Sequence, residues 1–400
     1  MNVETHVGII RTVAGTGEPG LSGDGNAAVL ACLNEPKSLT IDGQDNVIIA
    51  DSENHVIRKM DRVKGTITTV AGCDGTPNPQ SESVTSHAVT SESKDPFADA
   101  SMSGESAFSQ QTDLSGTVRY VVNSAGAFKR FGGDGGPAGR ALLNFPTAVA
   151  VDGAGNLYIA DTMNHRVRRV DAMSGQITTI AGIGQPRYGG DGGPAVAAGL
   201  NEPAALALSA SGVLYIADQS NNRVRAVDLA TGIIRTIAGT GTSAYNGDGI
   251  QAVDSSLAGP SGLAVGRDGT LYIADTFSGR IRAVNPSTGV INTVAGDGGE
   301  YRYQGAVEPS SNSLSRPSGI AVDGDGNLFI TDSDNHLVRR WDKATGRLDR
   351  LAGVGVANFG GDGASALEAS MNYPFGVAIS RDRHLFIADT FNHRIREIVL

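Results

Sequence analysis

Leu157-Tyr158-Ile159-Ala160-Asp161 is the stretch that decides the fold, because it recurs in close variants with a fixed step of 57 residues. These copies end at Asp161, Asp218, Asp275, Asp332 and Asp389. A sixth copy ends at Asp51, which precedes Asp161 by 110 residues, or one period plus 53 residues. A period of this size is typical of repeat proteins, whose units stack into one structure. We therefore expect one domain over residues 1–400, although the length alone would suggest two or three.

One period contains four short strand patterns separated by turn signals. In the second copy they span residues 147–152, 157–160, 166–171 and 176–181, with Gly, Asn, Asp or Ser between them. Four short strands joined by tight turns form an antiparallel meander. A four-stranded meander that repeats radially is a propeller blade. The sequence therefore predicts an all-β fold, a six-bladed β-propeller of four-stranded antiparallel blades.

The two ends of the sequence predict how the ring closes. The last copy stops after its third strand pattern, at residues 394–400, and residues 7–17 closely match the fourth pattern of another copy, at 232–241. We expect the N-terminal strand to complete the C-terminal blade. This closure removes the free sheet edges that an open stack of blades would leave.

The 53 additional residues fall between Gly72 and Phe131, which is between the first and second blades. Residues 73–130 are rich in Ser and Thr and poor in hydrophobic residues, a composition that is typical of disorder. Within them, only residues 117–122 have the pattern of a strand. We predict a disordered insertion. A binding arm or lid, a tolerated loop insertion and translated non-coding sequence are the alternative interpretations.

Composition excludes several classes of function. With 42 acidic and 32 basic residues the net charge is −10, which disfavours binding to nucleic acid or to anionic membranes. The two cysteines, Cys32 and Cys73, have neither metal-ligand spacing nor the pattern of a disulfide scaffold. No apolar run approaches the roughly 18 residues of a membrane helix. We expect a soluble, monomeric, cytoplasmic protein, although a secreted protein whose signal peptide has been removed would look the same.

A further motif, Asp-x-x-Asn-His-x-(Ile/Val/Leu)-Arg, follows the second strand pattern in four copies, at residues 51–58, 161–168, 332–339 and 389–396. One copy reads Asn335-His336-Leu337. On these residues the chain resembles the NHL-repeat family of β-propellers. The third copy has Asn221-Asn222 in this place, and the fourth has Ser278-Gly279. The resemblance implies a six-bladed propeller but no single activity, because its members range from interaction scaffolds to lyases and hydrolases.

Residues that recur in nearly every blade are interpreted as structural. We expect each Asp/Arg pair, such as Asp161 with Arg168, to link adjacent strands. The histidines are expected to pack within turns; they are His55, His165, His336 and His393. Each Gly-Asp-Gly loop has too few oxygen ligands for calcium and the wrong charge for a phosphate. Its aspartate is therefore expected to cap its own turn.

Function is expected where the repeat breaks its symmetry. A proline begins the first strand pattern of each copy, and the residues on either side of it differ between blades. Because this strand is the innermost one, its start is predicted to lie at the mouth of the central channel. The candidate ligand-binding residues are Glu35, Lys37, Phe145, Glu202, Arg316, Tyr373 and Phe375. Ordinary variation at a solvated rim is the competing interpretation.

These candidates leave two functions open. The first is a rigid scaffold that binds a protein or a small ligand at the loop-rich face and channel mouth, and no cofactor is predicted for it. The second is a divalent-metal-assisted lyase or hydrolase, with Ca or Zn at the axis and with unknown catalytic residues. Amidating lyases that resemble NHL propellers hold zinc with histidines just after this proline, and none of the six equivalent positions in this chain is a histidine. Gluconolactonase-like propellers use an axial Glu/Asn/Asp set, to which Glu35 and Glu202 would contribute.

Overall fold

The computed structural model describes residues 8–73, 108–112, 118–122, 131–299 and 313–400. The chain divides into two compact units, one of residues 1–74 and 130–400 and one of residues 75–129. In the second unit, Phe108–Thr112 and Val118–Val122 form an antiparallel pair. The strand at 118–122 lies where the sequence pattern predicted one, whereas its partner was not predicted. The rest of the insertion lies outside the described residues, so its disorder stays a prediction.

The first unit is a six-bladed β-propeller, as the repeat predicted. Each blade is an antiparallel sheet of four main strands, which are ordered from the inner to the outer edge. Blade 1 contains Pro36–Ile41, Val47–Asp51, Val56–Asp61 and Thr66–Ala71. Blade 2 contains Pro146–Val151, Leu157–Asp161, Arg166–Val170 and Ile177–Ala181. Blade 3 contains Pro203–Leu208, Val213–Asp218, Arg223–Asp228 and Ile234–Ala238.

The other three blades repeat this order. Blade 4 contains Pro260–Val265, Leu271–Asp275, Arg280–Val284 and Val290–Ala295, with the short edge strand Ile250–Gln251 outside them. Blade 5 contains Pro317–Val322, Leu328–Asp332, Leu337–Trp341 and Leu348–Ala352. Blade 6 contains Pro374–Ile379, His384–Asp389, Arg394–Val399 and Ile10–Ala14. Its outer strand therefore comes from the N-terminal part of the chain, where Ile10 pairs with Ile398.

Short 3₁₀ helices occupy two equivalent places in the repeat. One set follows the second strand of a blade, at Thr162–Asn164, Gln219–Asn221, Thr276–Ser278, Ser333–Asn335 and Thr390–Asn392. The other set lies in the connections between blades, at Ala28–Leu30, Ala138–Arg140, Ala195–Ala197, Ala252–Asp254 and Ala366–Glu368. In the second set the backbone joins two blades, because the Gly182 amide donates to the Ala195 carbonyl and the Ala195 amide to the Gly232 carbonyl. This part of each connection therefore lies at the perimeter of the ring.

The hydrophobic core lies between blades rather than inside one of them. The described residues form six apolar clusters, and each combines side chains of two neighbouring blades. Both faces of a blade are consequently covered, and the second strand Leu157–Asp161 is buried along its whole length. Burial on both faces explains why this strand is a continuous apolar run without alternation. No blade has a complete core without its neighbours.

A fully buried arginine on the third strand links the parts of each blade. Arg168 Nη1 donates to Asp161 Oδ2 at 3.2 Å, and Arg168 Nη2 donates to Asp134 Oδ1 of the incoming connection at 2.6 Å. The equivalent arginines are also fully buried; they are Arg58, Arg225, Arg282, Arg339 and Arg396. The predicted Asp–Arg link between strands is therefore confirmed.

The aspartates of the Gly-Asp-Gly loops have a different role from the predicted one. Asp24 accepts a hydrogen bond from Arg58 Nη2 at 2.7 Å and another from the Thr69 amide of the outer strand at 3.0 Å. The same Arg partnership holds for Asp134, Asp191, Asp248 and Asp362. The expectation that these aspartates cap their own turns was wrong. They are a second carboxylate partner of the buried arginine instead.

The aspartate at the end of the second strand is held by several donors. Asp161 accepts hydrogen bonds from the Asn144 amide at 2.7 Å and from Asn164 Nδ2 at 3.0 and 2.9 Å, besides that of Arg168. Burial raises the pKa of Asp161 to about 6, while these donors and the charge of Arg168 act in the opposite direction. The carboxylate is consequently ionised at neutral pH and pairs with the guanidinium.

We expect Arg168→Met to lower the free energy of unfolding by about 3–5 kcal/mol, because it leaves two partly or fully buried carboxylates without their counter-ion. Urea unfolding followed by circular dichroism measures this loss. Arg347→Met is the matched control, because the Arg347 side chain is 73% exposed. A loss below about 1 kcal/mol would mean that the buried pair contributes no more than a surface ion pair.

Blade 4 lacks one repeated hydrogen-bond donor and one repeated acceptor. Ser278 stands where most blades have asparagine, and Gly279 stands where they have histidine. Asp275 Oδ2 and Arg282 Nη1 are buried there without a hydrogen-bond partner, at 3.6 Å from each other. Such unsatisfied buried groups lower stability by about 1–3 kcal/mol each.

Relative to Gly279→Ala, which places the same Cβ 2.9 Å from the Leu314 carbonyl oxygen, we expect the double change Ser278→Asn with Gly279→His to raise the free energy of unfolding by about 1 kcal/mol for each hydrogen bond that it restores. Urea unfolding of the two proteins tests it. Gly279→Ala is the control, since it adds a Cβ in a left-handed backbone at φ 62° without adding an acceptor, and it should destabilise. Equal loss in both variants would refute the idea that blade 4 lacks only these side chains.

Candidate functional site

The inner strands of the six blades surround a channel with a cavity of about 470 Å³. Each inner strand contributes a branched aliphatic residue at the third and at the fifth position after its proline. The third-position residues are Leu39, Val149, Leu206, Leu263, Ile320 and Val377. The fifth-position residues are Ile41, Val151, Leu208, Val265, Val322 and Ile379. These side chains form the apolar part of the channel wall, which is close to sixfold symmetric.

The residue before each inner-strand proline has a left-handed backbone. These pre-proline residues are Glu35, Phe145, Glu202, Gly259, Arg316 and Tyr373, with φ between 47° and 58°. This conformation is less favourable by about 1–2 kcal/mol for a residue with a side chain. Five of the seven candidate residues are members of this set. The left-handed conformation recurs in every blade, so it belongs to the blade architecture.

The motif histidines hold this strained position. His55 Nδ1 accepts a hydrogen bond from the amide of Phe145 in the next blade at 2.9 Å, and His336 Nδ1 accepts one from the amide of Tyr373 at 3.1 Å. His165 and His393 do the same for Glu202 and Glu35. The histidines were predicted to pack within turns, but the structure shows that they connect neighbouring blades. In blade 3 the Asn222 side chain replaces them, and it accepts from the Gly259 amide.

A second inter-blade link uses the residue after the repeated aspartate. Thr162 Oγ1 donates to the carbonyl of Pro203 in the next blade at 2.8 Å, and Thr276 Oγ1 donates to that of Pro317 at 2.9 Å. Ser52, Ser333 and Thr390 make the same contact. Blade 3 has Gln219 at this position, and its side chain lines the channel.

At the mouth, the structure brings together several of the predicted candidates. Lys37, Arg316 and Phe375 line the cavity. Lys37 Nζ lies 2.9 Å from Glu35 Oε2, 4.5 Å from the centre of the Phe375 ring and 5.9 Å from that of Phe145. Lys37, Glu35, Phe375 and Phe145 form one cluster, in which a cation lies against aromatic faces.

The other two candidates lie outside that cluster. Glu202 Oε2 accepts a hydrogen bond from Ser220 Oγ at 2.5 Å. Tyr373 packs edge-on against His336, with ring centres 4.5 Å apart, and against Phe391 at 5.2 Å. Neither residue is among those that line the cavity. Glu202 and Tyr373 therefore belong to the rim around the mouth.

Two aromatic residues at the mouth were missed. Phe391 lies 5.0 Å from Lys37 Nζ and is 38% exposed, while Phe277 is 60% exposed and its ring centre lies 5.5 Å from the Arg316 guanidinium. A Cβ at Gly259 would overlap the Phe277 ring, so glycine allows this ring to lie on the backbone of the inner-strand start. Both phenylalanines occupy the second position after the repeated aspartate, where the six copies all differ except for these two. That variability was the signal that could have revealed them.

The carboxylates proposed as metal ligands have other partners. Glu35 binds Lys37, Glu202 binds Ser220, and the two residues lie on blades 1 and 3. Burial and the charge of Glu35 raise the pKa of Glu53 at the same rim, and Lys37 opposes this shift. Among the described residues, no group of three or more His, Cys, Asp or Glu side chains is placed to hold a metal ion.

Two family descriptions match parts of the chain. "NHL repeat" matches residues 143–170 and 314–341, and "Teneurin NHL domain" matches residues 237–312. In the part of the chain that the structure describes, no helix is long and apolar enough to cross a membrane.

Longer proteins are similar to this chain over part of their length. Protein SUPPRESSOR OF QUENCHING 1, chloroplastic, from Arabidopsis thaliana is 34% identical over 271 residues, which cover 65% of this chain and 25% of that protein. NHL repeat-containing protein 2 from Homo sapiens is 29% identical over 285 residues, which cover 64% of this chain and 39% of that protein. The chain thus spans about a quarter to two fifths of these relatives.

Solved structures share the fold at low sequence identity. A protein of unknown function from Bacteroides thetaiotaomicron has a TM-score of 0.61 at 18% identity, over 98% of this chain and 75% of the other. A gluconolactonase from Xanthomonas campestris has a TM-score of 0.55 at 14% identity, over 100% of this chain and 93% of the other. At these identities the likeness concerns the propeller fold alone.

The histidine links between blades make the free energy of unfolding depend on pH, and this dependence can be tested. Burial lowers the pKa of His336, and the charge of Asp334 opposes that shift. The folded state favours the neutral ring, so the stabilisation from this link is fully present above about pH 6.5, the histidine pKa in the unfolded chain. It is lost as the pH falls through the lower pKa of the folded state. A protonated ring cannot accept the Tyr373 amide.

We expect His336→Asn, which keeps an acceptor and does not titrate, to become more stable relative to the wild type as the pH falls from 8 to 5. The measurement is the difference in free energy of unfolding between the two proteins, in which the titration of every other group largely cancels. A difference that stays constant over this range would contradict the assigned role of the ring.

Proposed function

We propose that this chain, which is a six-bladed β-propeller of the NHL-repeat family, is a rigid binding module that takes a small ligand at the mouth of its channel. The observation that carries the proposal is the set of aromatic and cationic side chains at that mouth. The rings of Phe375 and Phe391 lie within 5.0 Å of Lys37 Nζ, and the ring of Phe277 lies 5.5 Å from the Arg316 guanidinium. Nothing in the sixfold repeat requires these residue types there, because equivalent positions in other blades differ.

The cavity supports a small ligand. Its volume of about 470 Å³ falls within the roughly 300–1,000 Å³ that is typical of small-molecule pockets, which are mostly apolar with a few placed polar groups. The aromatic side chains offer large contact faces that lose little conformational entropy on binding. A protein partner is the other form of this proposal, and it would use the same exposed rings by inserting a side chain or a chain end.

Rigidity also supports a binding role. The pre-proline residues of five blades are fixed by hydrogen bonds to a side chain of the preceding blade, such as that between Phe145 and His55. Rim side chains are therefore presented from a backbone that does not have to be ordered on binding, which reduces the entropic cost of association. The predicted monomer, the absence of nucleic-acid or membrane partners and the cytoplasmic location stay predictions.

The metal-assisted lyase or hydrolase at the axis also stays a prediction. The gluconolactonase likeness concerns the fold and does not bring an activity to this chain. The described residues offer no specific feature that favours a metal site, since Glu35 and Glu202 bind protein groups. We therefore favour the binding module over the metal-assisted enzyme.

We expect N-phenyl-1-naphthylamine, a neutral aromatic fluorophore, to bind with one site per chain and to gain fluorescence. Phe391→Ala and Phe277→Ala should each weaken its binding by up to about tenfold, because each removes an aromatic contact. Fluorescence titration gives the dissociation constants.

Met173→Ala is the control, because Met173 is 98% exposed on a blade 2 turn away from the mouth. Near-ultraviolet circular dichroism verifies that every variant keeps its tertiary packing. The proposal fails if the probe does not bind, or if the two phenylalanine variants bind it as the wild type does.

A further inference from the structure

We propose that the ligand at the channel mouth is a small organic monoanion with an apolar body, an inference that rests on the proposed function. Of the described residues that line the cavity, two carry a charge, and both are cations, Lys37 and Arg316. The acidic residues of the rim lie outside this lining. The recessed part of the site is therefore complementary to a negative charge, even though the chain as a whole has a net charge of −10.

Arg316 is the cation that is better placed to donate hydrogen bonds to a ligand. Its side chain is 53% exposed, and its ion pair with Asp334 is long, at 3.8 Å. The planar guanidinium offers a fork of donors that fits a carboxylate or sulfonate with two parallel hydrogen bonds. Its position 5.5 Å from the Phe277 ring places an apolar face directly beside those donors.

The ammonium group of Lys37 already contacts the other residues of its cluster. Its side chain is 15% exposed, its ammonium lies 2.9 Å from Glu35, and the rings of Phe375 and Phe391 lie within 5.0 Å. The charge of Lys37 is consequently balanced before any ligand arrives. One cation without close compensation remains, so a single negative charge is favoured over a dianion.

The hydroxyl groups around the cavity argue against a sugar-like ligand. Thr147 Oγ1 and Thr162 Oγ1 bond to each other at 2.6 Å, and Thr162 also donates to the Pro203 carbonyl. Ser318 and Ser333 form an equivalent pair at 3.0 Å. These hydroxyls serve the links between blades. A ligand with many hydroxyls would find these side-chain hydroxyls already paired, whereas an apolar body gains from contact with the aliphatic side chains of the channel.

Two probes that differ by one charged group test this inference. 8-Anilinonaphthalene-1-sulfonate carries the same aromatic body as N-phenyl-1-naphthylamine and adds a sulfonate. We expect the wild type to bind the sulfonate probe more tightly than the neutral one. Arg316→Gln should weaken the sulfonate probe about tenfold, the effect of losing a charge-assisted hydrogen bond, and leave the neutral probe unchanged.

Arg347→Gln controls for the loss of one positive charge, because the 73% exposed Arg347 side chain lies in the turn between the third and outer strands of blade 5. Arg316→Lys keeps the charge without the fork and should give an intermediate affinity for the sulfonate probe. Near-ultraviolet circular dichroism verifies that the Arg316 variants are folded. If Arg316→Gln does not fold, the comparison of Arg316→Lys with the wild type decides.

The outcomes separate this inference from the proposed function. If the neutral probe binds and depends on Phe277 and Phe391, but the sulfonate adds no affinity or ignores Arg316, the monoanion is wrong and the binding module stands. If neither probe binds, or if binding is insensitive to both phenylalanines, the binding module is wrong and the inference falls with it.

Discussion

A buried arginine that pairs with the aspartate at the end of the second strand is the interaction on which every blade depends, and in five blades a second carboxylate from the incoming connection joins it. Moving a guanidinium and its counter-ions out of water costs several kcal/mol per ion, and only good geometry with further hydrogen bonds recovers it. In blade 2 that geometry joins the end of the second strand at Asp161, the third strand at Arg168 and the incoming connection at Asp134. One interaction therefore fixes the blade to the segment that leads into it, which explains why these residues recur at the same step as the strands.

The links between blades then decide which positions are free to vary. A histidine ring nitrogen or an asparagine oxygen accepts the amide of the next pre-proline residue, and a hydroxyl bonds to the next proline carbonyl. Both links use backbone atoms of the receiving blade, so they place no demand on its side chains there. The pre-proline position accordingly holds glutamate, phenylalanine, glycine, arginine and tyrosine in one chain. A rim that is fixed in its backbone and variable in its side chains is suited to recognition.

Local patterns made most of the fold predictable, whereas the site depended on contacts that the repeat does not reveal. Strand runs, turns and the period are local, and Asp161 and Arg168 lie only seven residues apart, so their pairing could be predicted. Arg168 and Asp134 are 34 residues apart, and the Gly-Asp-Gly pattern suggested a turn rather than an ion pair. The left-handed backbone before the proline is the same in all six blades, yet among the pre-proline residues Arg316 lines the cavity while Glu202 and Tyr373 do not. Which of these side chains faces the cavity therefore depends on its neighbours in the folded ring, and the repeat does not specify them.

Blade 4 shows how stability and recognition compete at one junction. Its serine and glycine remove an amide donor to Asp275 and the inter-blade acceptor, and both Asp275 and Arg282 have unsatisfied buried atoms in this blade. The same junction has Gly259, on whose backbone the Phe277 ring lies, and it faces Arg316, whose pre-proline amide receives no side-chain acceptor from Gly279. Departures from a local rule without a structural gain tend to mark functional sites. If the mouth binds a ligand as we propose, the coincidence of these losses with the most exposed aromatic ring and the least compensated cation of the mouth favours ligand contacts at blades 4 and 5.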